Sequence, residues 1–319
     1  MTLEQANRAA DILSQNDVHF LIYTGGEPLA HRNFVSMVGH ASRIGMATTL
    51  VTNGWLLTPD RIDALADAGL VSVYISIDAS DAEVHEANRG LPGVCDRIRD
   101  ANRRFRRKGI STAASVTMSR LVDYKGLPQF LKSLGFESLT FSYPLTGLAS
   151  PYLAYSDSKL VAYSSDELYD AFEAVKALKQ EFVVLNPTAS IEDMQRHLRG
   201  EPEQFSCLAG WKFFYLDWHL DLYRCHNWDR PLCNIADFDG SQRLRDGCTA
   251  CMIDCYRDNS VMQHVGVAVS DGVAAAARGR LGEARNHWFN KKNLQSIKAV
   301  LEDAPAWRRQ IQRRTTRPS

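Results

Sequence analysis

The chain has 319 residues, with 37 Lys and Arg balancing 37 Asp and Glu for a formal net charge of zero, and 45% of it is hydrophobic. A balanced charge gives no electrostatic footprint for nucleic acid, and no apolar run approaches the ~20 residues that cross a bilayer core, so neither a nucleic-acid partner nor a membrane span is expected. The opening MTLEQANRAADILSQND lacks the basic start, apolar core and cleavage site of a secretory signal, and a cytoplasmic location is the default.

In chain order, Thr2 to Ser14 reads as an amphipathic helix, so the chain opens on a helix and not on the strand that usually begins an alternating fold. Apolar or β-branched runs then predict strands at Val18 to Thr24, Ala47 to Thr52, Val71 to Ile77, Thr112 to Met118 and Ser138 to Tyr143. Between them lie helix patterns at Arg32 to Ile44, Pro59 to Ala68, Gly93 to Lys108 and Tyr124 to Leu134. Thr58-Pro59 is a good helix start, a capping hydroxyl followed by proline. Gly45, Gly69, Gly109 and Gly135 each close a helix ahead of a strand. Repeated strand, helix, glycine, strand argues for βαβ units on a parallel sheet, which right-handed crossovers curl into an open or closed barrel.

After Tyr143 the sequence predicts a long loop from Pro144 to Ser165, a helix from Asp166 to Glu181 and a strand near Phe182 to Asn186. FFYLDW and LDLYRC read as a hairpin that leads into an irregular cysteine-rich segment, and Ala274 to Arg285 and Leu294 to Arg314 read as helical. The basic end, RRQIQRRTTRP, reads as a solvated helix terminus and not as an anion-binding arm.

Two features carry chemistry. Gly25-Gly26-Glu27-Pro28 stands where a strand gives way to a loop, so a ligand could approach bare backbone beside a carboxylate at the strand's C-terminal edge. The second is cysteine clustering: of seven cysteines, Cys95 stands alone, and Cys207, Cys225, Cys233, Cys248, Cys251 and Cys255 crowd one segment. In a reducing compartment that favours metal ligation over disulfides. The hairpin would bring Cys207 and Cys225 together, and Cys248-Thr-Ala-Cys251 is a two-ligand turn. By itself this segment suits zinc, with His226 and His264 available, as well as an iron–sulfur cluster. Cys95 reads as a core residue, and His19, His31, His40 and His85 have no ligand spacing.

With GGEP, Thr52-Asn53-Gly54 and Ser76-Ile77-Asp78 in this order, the chain resembles the radical S-adenosylmethionine enzymes. The resemblance implies an enzyme with a partial (βα)6, TIM-like α/β barrel, here lacking its first strand, followed by a C-terminal cysteine-rich extension. It implies that Gly25, Gly26, Glu27 and Pro28 hold the methionine end of S-adenosylmethionine and that Asn53, Ser76, Asp78 and Ser115 line the pocket and ribose side. Thr117 and Phe141-Ser142-Tyr143-Pro144 match only loosely. The late cysteines resemble the SPASM or Twitch extensions that hold an auxiliary 4Fe-4S cluster, which favours iron–sulfur over zinc. Two departures stand out: Leu220 occupies a position usually held by glycine, and Cys233 and Cys255 exceed the four thiolates one cluster needs.

The implied domains are a barrel over 1–145, its completion and a linker over 146–206, the auxiliary cluster region over 207–262 and a helical tail over 263–319. The implied activity is reductive cleavage of S-adenosylmethionine to a 5′-deoxyadenosyl radical that abstracts hydrogen from a peptide or small molecule, with a reductant protein as electron donor. The family's CxxxCxxC loop does not occur, and no cysteine precedes Gly25. The missing motif and the missing strand suggest either a truncated chain or a degenerate homologue that cannot cleave the cofactor, and the alternative function is that of an inactive homologue or a zinc-stabilised binding scaffold.

Overall fold

The computed structural model describes residues 1–144 and 159–302. Most of the loop expected from Pro144 to Ser165, the end of the helix expected to reach Arg314 and the basic terminus lie outside the described residues.

Helix α1 (Leu3–Gln15) starts on a reciprocal cap, in which Thr2 and Gln5 satisfy each other's backbone amides. Strands β1 (Phe20–Tyr23), β2 (Ala47–Thr52) and β3 (Ser72–Ile77) alternate with α2 (Phe34–Arg43) and α3 (Pro59–Asp67). Next come α4 (Ala82–Arg89), α5 (Val94–Arg107), β4 (Ser111–Thr117), α6 (Leu127–Ser133), β5 (Ser138–Ser142), α7 (Ser165–Leu178) and β6 (Val183–Val184). The six strands form one all-parallel sheet in the order β1-β2-β3-β4-β5-β6. Among the described residues no β6–β1 pairing closes it. It is the expected partial, TIM-like barrel, with β1 at an open edge where Phe20 and Ile22 are exposed.

Packing explains why these segments are helices. On α5, Val94, Cys95, Ile98, Ala101 and Phe105 fall on one stripe and are buried, and Arg103, Arg106 and Arg107 are exposed. That stripe meets the outward residues of the strands, among them Leu50, Val73, Ile75, Ile77, Val116 and Phe141, in one core. Each such apolar side chain removed from water contributes roughly 1.5–3 kcal/mol. Cys95 is part of this core, as expected.

The remainder is α8 (Thr188–Leu198), the short antiparallel strands β7 (Tyr215–Leu216), β8 (Asp221–Tyr223) and β9 (Cys233–Asn234), then α9 (Asp254–Ala277) and α10 (Leu281–Trp288). Residues 291–302 are helical. The small sheet docks on α1: Leu222, Ile235 and Phe238 share a second core with Ala9, Ala10 and Leu13. Asn16 donates to the Phe238 carbonyl at 3.2 Å across that contact.

Several expectations need correcting. The helix expected from Ala274 to Arg285 is two helices, because α9 stops at Ala277 and Gly279 turns the chain with φ +74°. The segment that reads as irregular is helical from Asp254, so Cys255 lies in the first turn of α9. Helices α4 and α8 are not apparent in the sequence, because neither carries a clean apolar stripe. His85 is the buried residue of α4, and α8 buries Ser190, Asp193 and Gln195 beside its apolar side chains.

Candidate functional site

At the end of β1 the chain turns through Gly25 with φ +119°, a conformation that β-carbon-bearing residues avoid. A β-carbon placed on Gly25 or Gly26 would meet nothing within 4 Å, so bare peptide faces open space. Glu27 then caps a 3-10 turn at Pro28–Ala30, accepting from the Leu29 amide at 3.0 Å. The same carboxylate reaches the neighbouring strand end. It accepts from the Thr52 hydroxyl at 2.9 Å and from the Asn53 amide at 2.9 Å. Three donors occupy most of the about four lone-pair positions of a carboxylate. Glu27 is therefore first a clamp between the ends of β1 and β2, with about one acceptor position left for a ligand.

Asn53 Oδ1 accepts from the Trp55 amide at 2.8 Å, which orients its side chain at the strand end. Ser76 lies opposite Ser115 in register, and Ser115 lies opposite Thr140, so a row of hydroxyls crosses β3, β4 and β5. These residues are half-buried, on the face opposite the apolar residues under the helices. Thr117 and Ser142 pair further along. The inner face of the sheet is thus polar near the C-terminal strand ends, where parallel α/β folds collect their ligands.

Asp78 also sits at a strand end, but its carboxylate is engaged. The Arg89 guanidinium lies 2.6 Å from it and Asn88 donates at 2.9 Å, which ties β3 to α4. Its backbone amide donates to His85 Nδ1 at 3.2 Å. Asp78 holds the loop that follows β3 in place.

The cysteines divide into two groups. The Cys207 amide donates to the Cys248 carbonyl at 2.8 Å, and Cys207, Cys225 and Cys251 pack together around Ala209, Ile253 and Tyr256. Cys207 and Cys225 lie near enough to bear electrostatically on Cys255, and Cys207 and Cys248 on Cys251. Burial pushes the Cys207, Cys225 and Cys251 thiols up, Cys225 to about 11. Cys255 is accessible to solvent, and the surrounding protein raises its thiol well above the usual range. Cys233 belongs elsewhere: on β9 it pairs with Leu222 and joins the α1 core, and the charges near it are Asp237, Asp239 and Asp221. In the β7–β8 turn Leu220 adopts φ +70°, so this position has the backbone that favours glycine without glycine being there.

Among the described residues no three His, Cys, Asp or Glu side chains are grouped to hold one metal ion. His226 is engaged by the Tyr256 hydroxyl at 2.9 Å, and burial lowers its pKa to about 4. His264 stacks edge-on against Phe205.

Two acids of α9 belong to no motif that the sequence displays. Asp254 lies where the Ser142 hydroxyl and the Tyr143 amide hydrogen-bond to it, yet burial still raises it to about 7. Asp258 accepts from Ser190 at 2.5 Å and from Asn186 at 2.7 Å, and burial raises it to about 8. Asn186 also brackets the Phe141 peptide, accepting at 2.7 Å and donating at 3.0 Å, so this network joins α9 to β5. The available signal is the spacing of Asp254 and Asp258, four apart on one helix face. It is masked by the surrounding cysteines, which make the segment read as irregular.

The family model of the Radical SAM superfamily matches residues 1–127. An AdoMet-dependent heme synthase of Methanosarcina barkeri is 34% identical over 97 residues, which are 30% of this chain and 28% of that protein. A PqqA peptide cyclase of Rhodopseudomonas palustris is 32% identical over 120 residues, 38% of this chain and 32% of that protein. The matched segments thus span about a third or less of these curated relatives. Among solved structures, Streptococcus suis SuiB bound to precursor peptide SuiA superposes with a TM-score of 0.55 at 15% identity, covering 81% of this chain and 64% of that one. SuiB bound to S-adenosylmethionine gives 0.51 at 14% identity, covering 70% and 53%. At such identities the likeness is one of fold.

Proposed function

Residues 1–127 belong to the radical SAM superfamily, and on that premise we propose that the chain binds S-adenosylmethionine across the C-terminal ends of β1 to β4 and serves a radical reaction on a peptide. The observation that carries this reading is the bare peptide at Gly25 and Gly26 beside strand ends locked by Glu27. In this proposal the Gly25–Gly26 backbone and the remaining Glu27 lone pair hold the methionine end. Asn53 and the Ser76 and Ser115 hydroxyls line the nucleoside side. Asp78 fixes the loop around the pocket through Arg89.

When bound beside a reduced four-iron cluster, S-adenosylmethionine supplies a 5′-deoxyadenosyl radical for hydrogen abstraction. The CxxxCxxC loop for that cluster does not occur in these 319 residues, so the radical step is proposed for a form that carries it, with a reductant protein as electron source. Cys207, Cys225, Cys248, Cys251 and Cys255 are proposed to hold an auxiliary cluster of SPASM or Twitch type. The donor set fits: a polynuclear cluster takes one thiolate at each iron, so its sulfurs need not converge on one point, whereas zinc draws all four to ~2.3 Å. A peptide substrate is supported by a relative named PqqA peptide cyclase and by the fold likeness to SuiB bound to precursor peptide.

Anaerobic reconstitution followed by calorimetric titration tests the reading. The expected result is iron and sulfide bound to the chain and saturable binding of S-adenosylmethionine that Gly25→Val abolishes. Zinc as the only retained metal, together with no S-adenosylmethionine binding, would refute it.

A further inference from the structure

The C-terminal helices reverse the usual distribution of apolar side chains. Helix α9 packs against α10 and residues 291–302 with small or polar residues at many of the contacts: Gly272 sits against the Trp288 ring, Ala284 and Ala299 are fully buried, the latter beside Val261, and the Ser296 hydroxyl bonds the backbone of α9. The large apolar residues lie outside. Phe289 is 81% exposed, Leu281 70%, Leu294 63% and Leu301 62%. Leu294, Ile297 and Leu301 recur at i, i+3 and i+7, so they share one face of their helix. Single exposed leucines are ordinary, but a row of them opposite a small-residue interior marks a surface that meets another phase or partner.

Charge narrows the choice. In a chain of zero net charge, the stretch from Arg278 to Glu302 carries six Lys and Arg against two Glu. Arg285, Lys291, Lys292 and Lys298 form no ion pair among the described residues. A second copy presenting the same face would bring like charges together, and the chain's own terminus, with Arg308, Arg309, Arg313, Arg314 and Arg317, is basic as well. The occupant must be anionic. Shape narrows it further: a side chain with four fifths of its surface in water cannot line a groove, and an acidic peptide helix needs a groove to bury its anchors. A bilayer accepts convex apolar projections ringed by lysine and arginine. No described helix is long and apolar enough to cross a membrane, so such contact would be peripheral.

We propose that the outer face of α10 and residues 291–302 is a reversible docking surface for an anionic lipid bilayer, with Leu281, Phe289 and Leu294 entering the acyl boundary and Lys291, Lys292 and Lys298 engaging lipid phosphates. This inference rests on the C-terminal helices alone and is independent of the barrel chemistry.

Vesicle flotation with the full chain tests it, using phosphatidylcholine vesicles with and without phosphatidylglycerol. Binding is expected only with phosphatidylglycerol and should fall as salt is raised. Lys291→Glu, Lys292→Glu and Lys298→Glu combined should lower the partition coefficient by about tenfold or more. Phe289→Ser with Leu294→Ser should lower it as well and leave the circular dichroism unchanged, because both side chains are exposed. Equal binding to neutral vesicles, an unaffected charge-reversal variant, or a solution dimer that Phe289→Ser dissolves would each overturn the proposal, the last by making the face an interface between copies.

Discussion

Replacing Asp258 by asparagine should flatten the dependence of stability on pH. Burial raises this carboxyl from 3.8 to about 8, so it enters the fold with its proton. A group that binds a proton more tightly when folded contributes stability that is complete below its unfolded pKa, near 4, and is lost as pH rises through the folded value. A difference of one in pKa corresponds to about 1.4 kcal/mol, so the whole rise is worth on the order of 5 kcal/mol, of which about 2–3 kcal/mol falls between about pH 6 and pH 8. The introduced asparagine can keep both contacts, now 2.5 and 2.7 Å long: its oxygen accepts from Asn186, and the Ser190 hydroxyl, which donates to the carboxyl, turns to accept from the new NH2. Urea unfolding at about pH 6 and about pH 8, followed by tryptophan fluorescence, should therefore show wild type losing stability across the window. Asp258→Asn should lose less, keeping the slope from Asp254, whose pKa is about 7. An unchanged slope in Asp258→Asn, or a wild type that is flat, would refute the assignment of the proton to this site.

Further outcomes follow from the other contacts. Arg257 is 2% exposed and lies 2.5 Å from both Asp193 and Glu203. Arg257→Met strands two buried carboxylates and should cost about 3–5 kcal/mol in urea unfolding; a loss below about 1 kcal/mol would contradict the pairing. Glu27→Ala removes the acceptor for Leu29, Thr52 and Asn53. It should lower stability by about 1–3 kcal/mol, and calorimetry should show weaker S-adenosylmethionine binding as well; unaltered stability would mean that the clamp does not form. Cys233→Ser should leave reconstituted iron content unchanged, and Cys207→Ser or Cys225→Ser should reduce it, read by iron and sulfide assay. Equal losses in all three variants would place Cys233 with the others.

Local pattern was enough to set out the alternation of the barrel. The β2 expectation matches to the residue, β3 and β5 differ by one residue at one end and β4 by one residue at each end, because β-branched runs broken by glycine are local signals. GGEP, TNG and the cysteine crowding are legible for the same reason: each is a short pattern whose meaning depends on neighbours in the chain. What the charged and thiol side chains are free to do is settled by packing instead. Glu27 and Asp78 look alike as acids at strand ends, but three donors occupy the first and Arg89 takes the second. Cys233 is near Cys225 in sequence, but a β-strand carries it into the α1 core. Leu220 departs from glycine in identity and keeps its backbone conformation, because the hairpin imposes the turn. Asp254 and Asp258 become visible once α9 packs against β5. A carboxyl's proton affinity, or a thiol's availability, is set by partners and burial contributed from distant parts of the chain. Periodicity, which reports only which face of an element is apolar, carries no record of them.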